Sequence, residues 1–185
     1  MRFLFVLIFG VLASFPGKSA SAQEPAPTAR VVTLCELLKV PQSYDGMNLQ
    51  IRGVVSSEFE VFTIYEPACQ APSIPGIWLM FGGDVNCPTP STWNDVGRPK
   101  GKNVKFKGAE YSLVKDDVFH EFYKGVTTRK QRKAMYSVTA TLEGTFFSGD
   151  IMKNGLGLPG YGHLGCCHLF IIHPVIRSDS KKIIA

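Results

Sequence analysis

Residues 136–143, YSVTATLE, set Tyr136, Val138, Ala140 and Leu142 in strict alternation with Ser137, Thr139, Thr141 and Glu143. Successive strand side chains point to opposite faces, so this pattern demands a strand with one face in a core and the other toward water. A helix would scatter the same four apolar residues around its circumference. No other stretch constrains the fold as tightly.

Further strands follow from the same reasoning. Leu49, Ile51 and Val55 alternate with Gln50 and Arg52, and Gly53 sits where a long strand can bend. Residues 59–65 are aromatic and β-branched, and residues 77–81 (IWLMF) lie between Pro75-Gly76 and Gly82-Gly83. Residues 103–107 suggest a short strand. Residues 169–176 form an apolar final strand, expected to be covered on both faces. Thr33 and Glu36 have capping-box spacing ahead of Leu34, Leu37 and Leu38, and Pro41 ends that short helix. Residues 116–124 give a second helix, with Val118, Phe119, Phe122 and Tyr123 on one side and Gly125 after it. The stretch 147–165 is glycine-bearing and reads as a long loop. Three strands, an excursion carrying a helix, a strand, a loop and a last strand make a mainly β fold with two helices. That is the plan of the small, five-stranded, partly open Greek-key barrel of the oligonucleotide/oligosaccharide-binding (OB) type.

The first 22 residues have the composition of a secretion signal. Arg2 is followed by an uncharged apolar run over residues 3–15, and Ala20-Ser21-Ala22 offers small residues for cleavage. The apolar run is shorter than the ~20 residues a bilayer span needs, so the expectation is a soluble protein with no permanent membrane span once residues 1–22 are removed. Residues 23–30 read as a flexible Pro/Ala linker and residues 31–185 as one domain. All five cysteines, Cys35, Cys69, Cys87, Cys166 and Cys167, would then reach an oxidising secreted or periplasmic compartment where bridges persist. Two bridges drawn from five cysteines allow fifteen pairings, and spacing alone does not choose among them.

The net charge of +5 falls to +3 without Arg2 and Lys18, and it is unevenly placed. Residues 98–133 hold eleven Lys/Arg against four acids. Such a block suits an anionic ligand or envelope component, although a solvated surface explains it as well. The expected compartment argues against intracellular nucleic acid as a partner.

Several short motifs carry a resemblance. Cys35-Glu36-Leu37-Leu38, Tyr44-Asp45-Gly46, Ile51-Arg52-Gly53, Cys69, Ile77-Trp78-Leu79, Leu142-Glu143-Gly144 and Gly162-His163-Leu164-Gly165 resemble a group of secreted bacterial proteins without an assigned activity. The resemblance spans residues 34–175. It implies the compartment and a barrel-like fold, but no reaction. It also makes Cys35–Cys69 the first choice for a bridge, because these match the group's recurrent cysteines. The natural second bridge joins Cys87 to Cys166 or Cys167.

Nucleophile elbows, zinc-protease helices, phosphate loops and dinucleotide fingerprints are absent from the sequence. A calcium-dependent nuclease would want clustered acids. Arg52 has Glu58 and Glu60 nearby but no aspartate with them. His163, flanked by glycines, is the leading single functional residue, as a binding group or as an acid/base. His163, Cys166 and His168 form a candidate soft-metal set for zinc or copper, with bridges competing for the thiols. In an extended chain Cys166 and His168 would share one face, with Cys167 and His173 on the other. Phe59, Phe62, Tyr65 and Trp78 are candidates for a stacking face, flanked by Arg129, Lys130, Arg132 and Lys133. The alternative is that these aromatics fill the core. The resulting expectation is a non-catalytic binding or accessory module without a resident cofactor. The alternative is a metal-binding or histidine-based enzyme centred on His163.

Overall fold

The sequence folds around a barrel whose strands alternate between an inner core and an outer wall. The structure is a computed structural model that describes residues 28–58, 61–69, 76–83, 103–127, 136–149, 160–162 and 165–182. The signal-like residues 1–22 and residues 23–27 of the linker lie outside this set. Among the described residues, no helix is long and apolar enough to cross a membrane.

Strand β1 (Arg30–Val31) leads into helix α1 (Leu34–Lys39). The capping box forms as the sequence requires: Thr33 Oγ1 accepts from Glu36 N at 3.2 Å, and Glu36 Oε2 accepts from Thr33 N at 3.0 Å. These bonds to Thr33 hold the Glu36 carboxyl below its ordinary range. A short 3-10 helix (Pro41–Tyr44) turns the chain into β2 (Asn48–Glu58). β3 (Val61–Tyr65) and β4 (Ile77–Phe81) follow, then β5 (Val104–Phe106) and β6 (Ala109–Tyr111), helix α2 (Asp117–Thr127), β7 (Tyr136–Phe147) and β8 (His168–Lys182).

Strands pair in the order β2-β3-β4-β8-β7, and β7 returns to β2, closing a five-stranded barrel. β4 and β8 run parallel and the other barrel pairs antiparallel. Gly53 is needed for this closure. A Cβ there would come within 2.5 Å of Leu34 Cδ1 and 2.8 Å of Ile64 Cγ1, so α1 and β3 could not approach. The Cys35–Cys69 disulfide ties α1 to the segment after β3, the pairing implied by the resemblance.

Leu49, Ile51, Phe62, Ile64, Ile77, Leu79, Leu142, Phe146, Phe170 and Ile172 point inward and form the main core. Helix α2 adds Phe119, Phe122 and Val126 to it. Phe81 lies 5.2 Å from the Phe62 ring, 5.7 Å from Phe119 and 6.3 Å from Phe122. The helix runs past Gly125, where the sequence suggests an end, because Val126 still has core to bury.

A second, smaller core lies on the outside of the barrel. Trp78 and Met80 of β4 and Leu169 and Ile171 of β8 meet Val104, Phe147, Tyr161 and Cys167. This explains why β4 and the first half of β8 are apolar on both faces. The β5–β6 hairpin covers that wall with Phe106 and Tyr111. Its turn has Lys107 at φ 46° and Gly108 at φ 82°, the positive-φ pair of a type I′ connection. The sequence suggests only β5 here, since three-residue strands are too short to show a period. Beyond Ile172 two register shifts against β7 interrupt β8, near His173-Pro174 and Ile176. Proline fits a bulge because it has no N–H to give the ladder. The bulge returns Val175 to the inner core and leaves Ile176 exposed, which ends the double coverage expected for residues 169–176.

Candidate functional site

Two neighbourhoods on the outer wall concentrate polar and reactive groups. The first is the segment before β8. Tyr161 N donates to Cys167 O at 2.7 Å and Cys167 N donates to Tyr161 O at 3.0 Å, forming a small ladder. Gly165 N donates to Gly162 O at 3.2 Å. Gly162 has φ 75°, and a Cβ there would collide with the Trp78 indole. The turn is therefore seated directly on that ring. Trp78 is 1% exposed and Tyr161 9%, yet among the described residues Trp78 Nε1 and Tyr161 Oη have no hydrogen-bond partner. Burial and the Asp45 carboxylate push the Tyr161 hydroxyl well above its ordinary range, so it stays protonated. Asp45 itself accepts from Ser148 N at 2.8 Å and lies 3.8 Å from Lys107 Nζ. That ammonium sits 4.8 Å from the Phe147 ring centre. Lys107, part of the basic block, is thus committed to the fold.

Cys166 and Cys167 are bonded to each other. This corrects the expected second bridge from Cys87 to one of them; Cys87 lies outside the described residues. It also changes the candidate metal set. A sulfur held in a disulfide is no thiolate ligand, so Cys166 does not serve zinc or copper in this state. The expected sharing of a face by Cys166 and His168 is overturned too, since Cys166 joins Cys167 in the outer cluster, whereas Cys167 and His173 do share the outer side. Cys166 packs on the outer cluster, whereas His168 lies on the inner side with its ring 5.4 Å from Phe146. His168 Nδ1 accepts from Gly149 N at 2.9 Å, which leaves that nitrogen no lone pair for a metal. His163 lies outside the described residues. Among the described residues no group of three potential ligands could hold a metal ion.

The second neighbourhood surrounds the β8 bulge. His173 Nε2 lies 3.2 Å from Thr145 Oγ1, and its ring is 5.6 Å from the Tyr111 ring. Asn48 Nδ2 donates to Glu143 Oε1 at 3.2 Å, while Asn48 Oδ1 is buried without a partner among the described residues. Burial lowers the His173 pKa and the Glu143 carboxylate opposes the shift; burial also raises that of Tyr111. A hydroxyl, an imidazole and a carboxylate in sequence suggest acyl-transfer chemistry. However, Thr145 is 7% exposed, so its hydroxyl is closed to a substrate. The group serves to fasten the hairpin to the wall, helped by Val114 N donating to His173 O at 2.8 Å. This cluster is not legible in the sequence, because its members come from three strands and a hairpin. The signal available was Pro174, which marks a bulge, and bulges re-aim neighbouring side chains.

The expected stacking face is divided by the fold. Phe62 is in the inner core and Trp78 in the outer one, so neither offers a ring to a ligand. Tyr65, 40% exposed, remains on the open wall. Phe59, Arg129, Lys130, Arg132 and Lys133 lie outside the described residues. Beside Tyr65, the outer side of β2 and β3 presents Arg52, Val54, Ser56 and Thr63, with Val54 opposite Tyr65 and Ser56 opposite Thr63. Comparisons with protein-family models, curated proteins and solved structures find no match to this chain.

Proposed function

We propose that the protein is a non-catalytic binding or accessory module that works outside the cytoplasm and takes an anionic ligand. One observation carries this reading. The hairpin and the 161–167 turn seal the outer wall at β4, while the wall over β2 and β3 stays open around Arg52 and Tyr65. On barrels of this type the ligand face is centred on the second and third strands, here β3 and β4. Coverage of β4 moves the available surface toward β2. The basic residues Arg129, Lys130, Arg132 and Lys133 belong to the connection from Thr127 to Tyr136, and β7 pairs Val138 with Val55 of β2. A run of cationic residues together with an exposed aromatic side chain suits a polyanion. The oxidised cysteines and the signal-like first 22 residues support a secreted or periplasmic site of action. The resemblance to secreted bacterial proteins agrees with this.

Titration of the oxidised protein with a sulfated glycan and with polyphosphate tests the proposal. Binding should weaken with added salt and fall at least tenfold for a variant carrying Arg129→Ala, Lys130→Ala, Arg132→Ala and Lys133→Ala. Tyr65→Ala should reduce it further. Absence of binding to both polyanions overturns the anionic-ligand reading. Stoichiometric zinc or copper, lost on His163→Ala, would instead favour the histidine-centred alternative.

A further inference from the structure

The Cys166–Cys167 bond joins neighbouring residues, whereas Cys35–Cys69 spans a sequence separation of 34. In the chain-entropy view, a disulfide stabilises a fold by closing a loop in the unfolded chain, and the effect grows with loop length. Adjacent cysteines close no loop beyond their own peptide bond. The bond between them therefore does little to hold the barrel against unfolding. The relation is reciprocal: a bond that does not stabilise the fold gains little protection from it. Cys167 is 3% exposed and Cys166 half-buried, so Cys166 is the more accessible residue of the pair.

What the bond does hold is local. Cys167 N and O make both ladder hydrogen bonds to Tyr161, and the next residue, Gly162, rests on the Trp78 indole. The seat is not fully satisfied, because Trp78 Nε1 and Tyr161 Oη are buried without partners among the described residues. Such groups recover hydrogen bonds to water when a segment lifts, which lowers the cost of opening it. The inner core, with Cys35–Cys69, does not depend on that turn.

We infer that Cys166–Cys167 is a thiol–disulfide exchange site for a dithiol reductant, and that its oxidation state sets whether Gly162 stays seated on Trp78. In the first step a thiolate of the reductant attacks Cys166 Sγ. A mixed disulfide forms there, the Cys166–Cys167 bond breaks, and the electron pair leaves on Cys167 Sγ, which takes a proton. The reductant's second thiolate then attacks its own sulfur in the mixed disulfide and releases Cys166 as a thiolate, which is protonated. The reductant leaves as a disulfide, and the pair has gained two electrons and two protons. Without the small ring, Cys167 is free to give up its ladder to Tyr161, and Gly162 leaves the indole.

The test is graded reduction of the folded protein by dithiothreitol in a Cys87→Ser background, which removes an internal thiol. Alkylation and peptide mapping then identify the open cysteines. Trp93→Phe leaves Trp78 as the only tryptophan, since the chain has two. Cys166 and Cys167 should open at reductant concentrations at least tenfold below those that open Cys35–Cys69. Trp78 emission should shift to the red and its quenching by acrylamide should rise several-fold, with the far-ultraviolet circular dichroism unchanged. A protein carrying Cys166→Ser and Cys167→Ser should show the reduced-state emission without any reductant. Should Trp93→Phe not fold, the difference spectrum between that serine variant and its parent reports Trp78, because Trp93 is common to both. Opening of both bridges only together overturns the proposal. So does opening of Cys166–Cys167 with Trp78 emission unchanged, or a serine variant that emits like the oxidised protein.

Discussion

Gly162 lies against the Trp78 indole so closely that no side chain fits between them. The contact fastens a turn before the last strand to the third strand of the barrel, and it follows from two separate features. Gly162 has φ 75°, a conformation in which L side chains are disfavoured, and its outward direction is filled by the ring. Gly46 has nearly the same dihedral, φ 76°, with open space around it. The pair separates backbone strain from collision. Gly46→Ala should cost about 1 kcal/mol and Gly162→Ala about 2–4 kcal/mol in urea denaturation. Equal costs would show that the ring contact contributes nothing.

The two disulfides should differ in their effect on stability. Paired replacement of Cys35 and Cys69 by Ser should cost about 3–4 kcal/mol, from a loop set by a separation of 34 residues. Paired replacement of Cys166 and Cys167 should cost under about 1 kcal/mol, since no loop is released. Thermal unfolding of both variants beside the parent measures the difference.

Phe81 is the hub where the barrel meets α2, with the Phe62, Phe119, Phe122 and Tyr123 rings all around it. Phe81→Ala should destabilise by about 3–5 kcal/mol, the range for deleting a buried aromatic ring. Phe81→Leu should cost clearly less, because most of the volume is kept. Chemical denaturation monitored by circular dichroism gives both values.

His173 predicts a pH dependence. Burial lowers its pKa in the fold from the ordinary 6.5, with Glu143 opposing and the neutral Tyr111 ring alongside. As pH falls, the unfolded chain therefore takes up this proton before the folded protein does. The contribution to stability is fully present above about pH 6.5 and is lost as pH falls from there to the folded pKa. Melting temperatures from about pH 8 to about pH 5 should decline less for His173→Gln than for the parent. Identical slopes would remove His173 as the cause.

Local rules made much of the fold legible. The capping box at Thr33 and Glu36 needs only four residues of chain, and it forms. The alternation in residues 136–143 predicts the inward set Val138, Ala140 and Leu142, all of which are buried in the core. The site was harder to read. An extended chain sends Cys166 and Cys167 to opposite faces, but a bond between them sets the geometry instead. Trp78 lies in an apolar run that demands cover on both sides, and the run does not say what provides it. The cover comes from Val104, Phe106, Tyr111 and Tyr161, distant in sequence and carried on strands too short to show a period.

By itself, then, the sequence determined the order of the barrel strands and the two helices, and with it the barrel, because hydrophobic periodicity is a property of neighbouring residues. Only the tertiary structure decided which aromatic rings remain open to a ligand. Exposure depends on what packs across a surface, and that is settled between segments far apart in the chain.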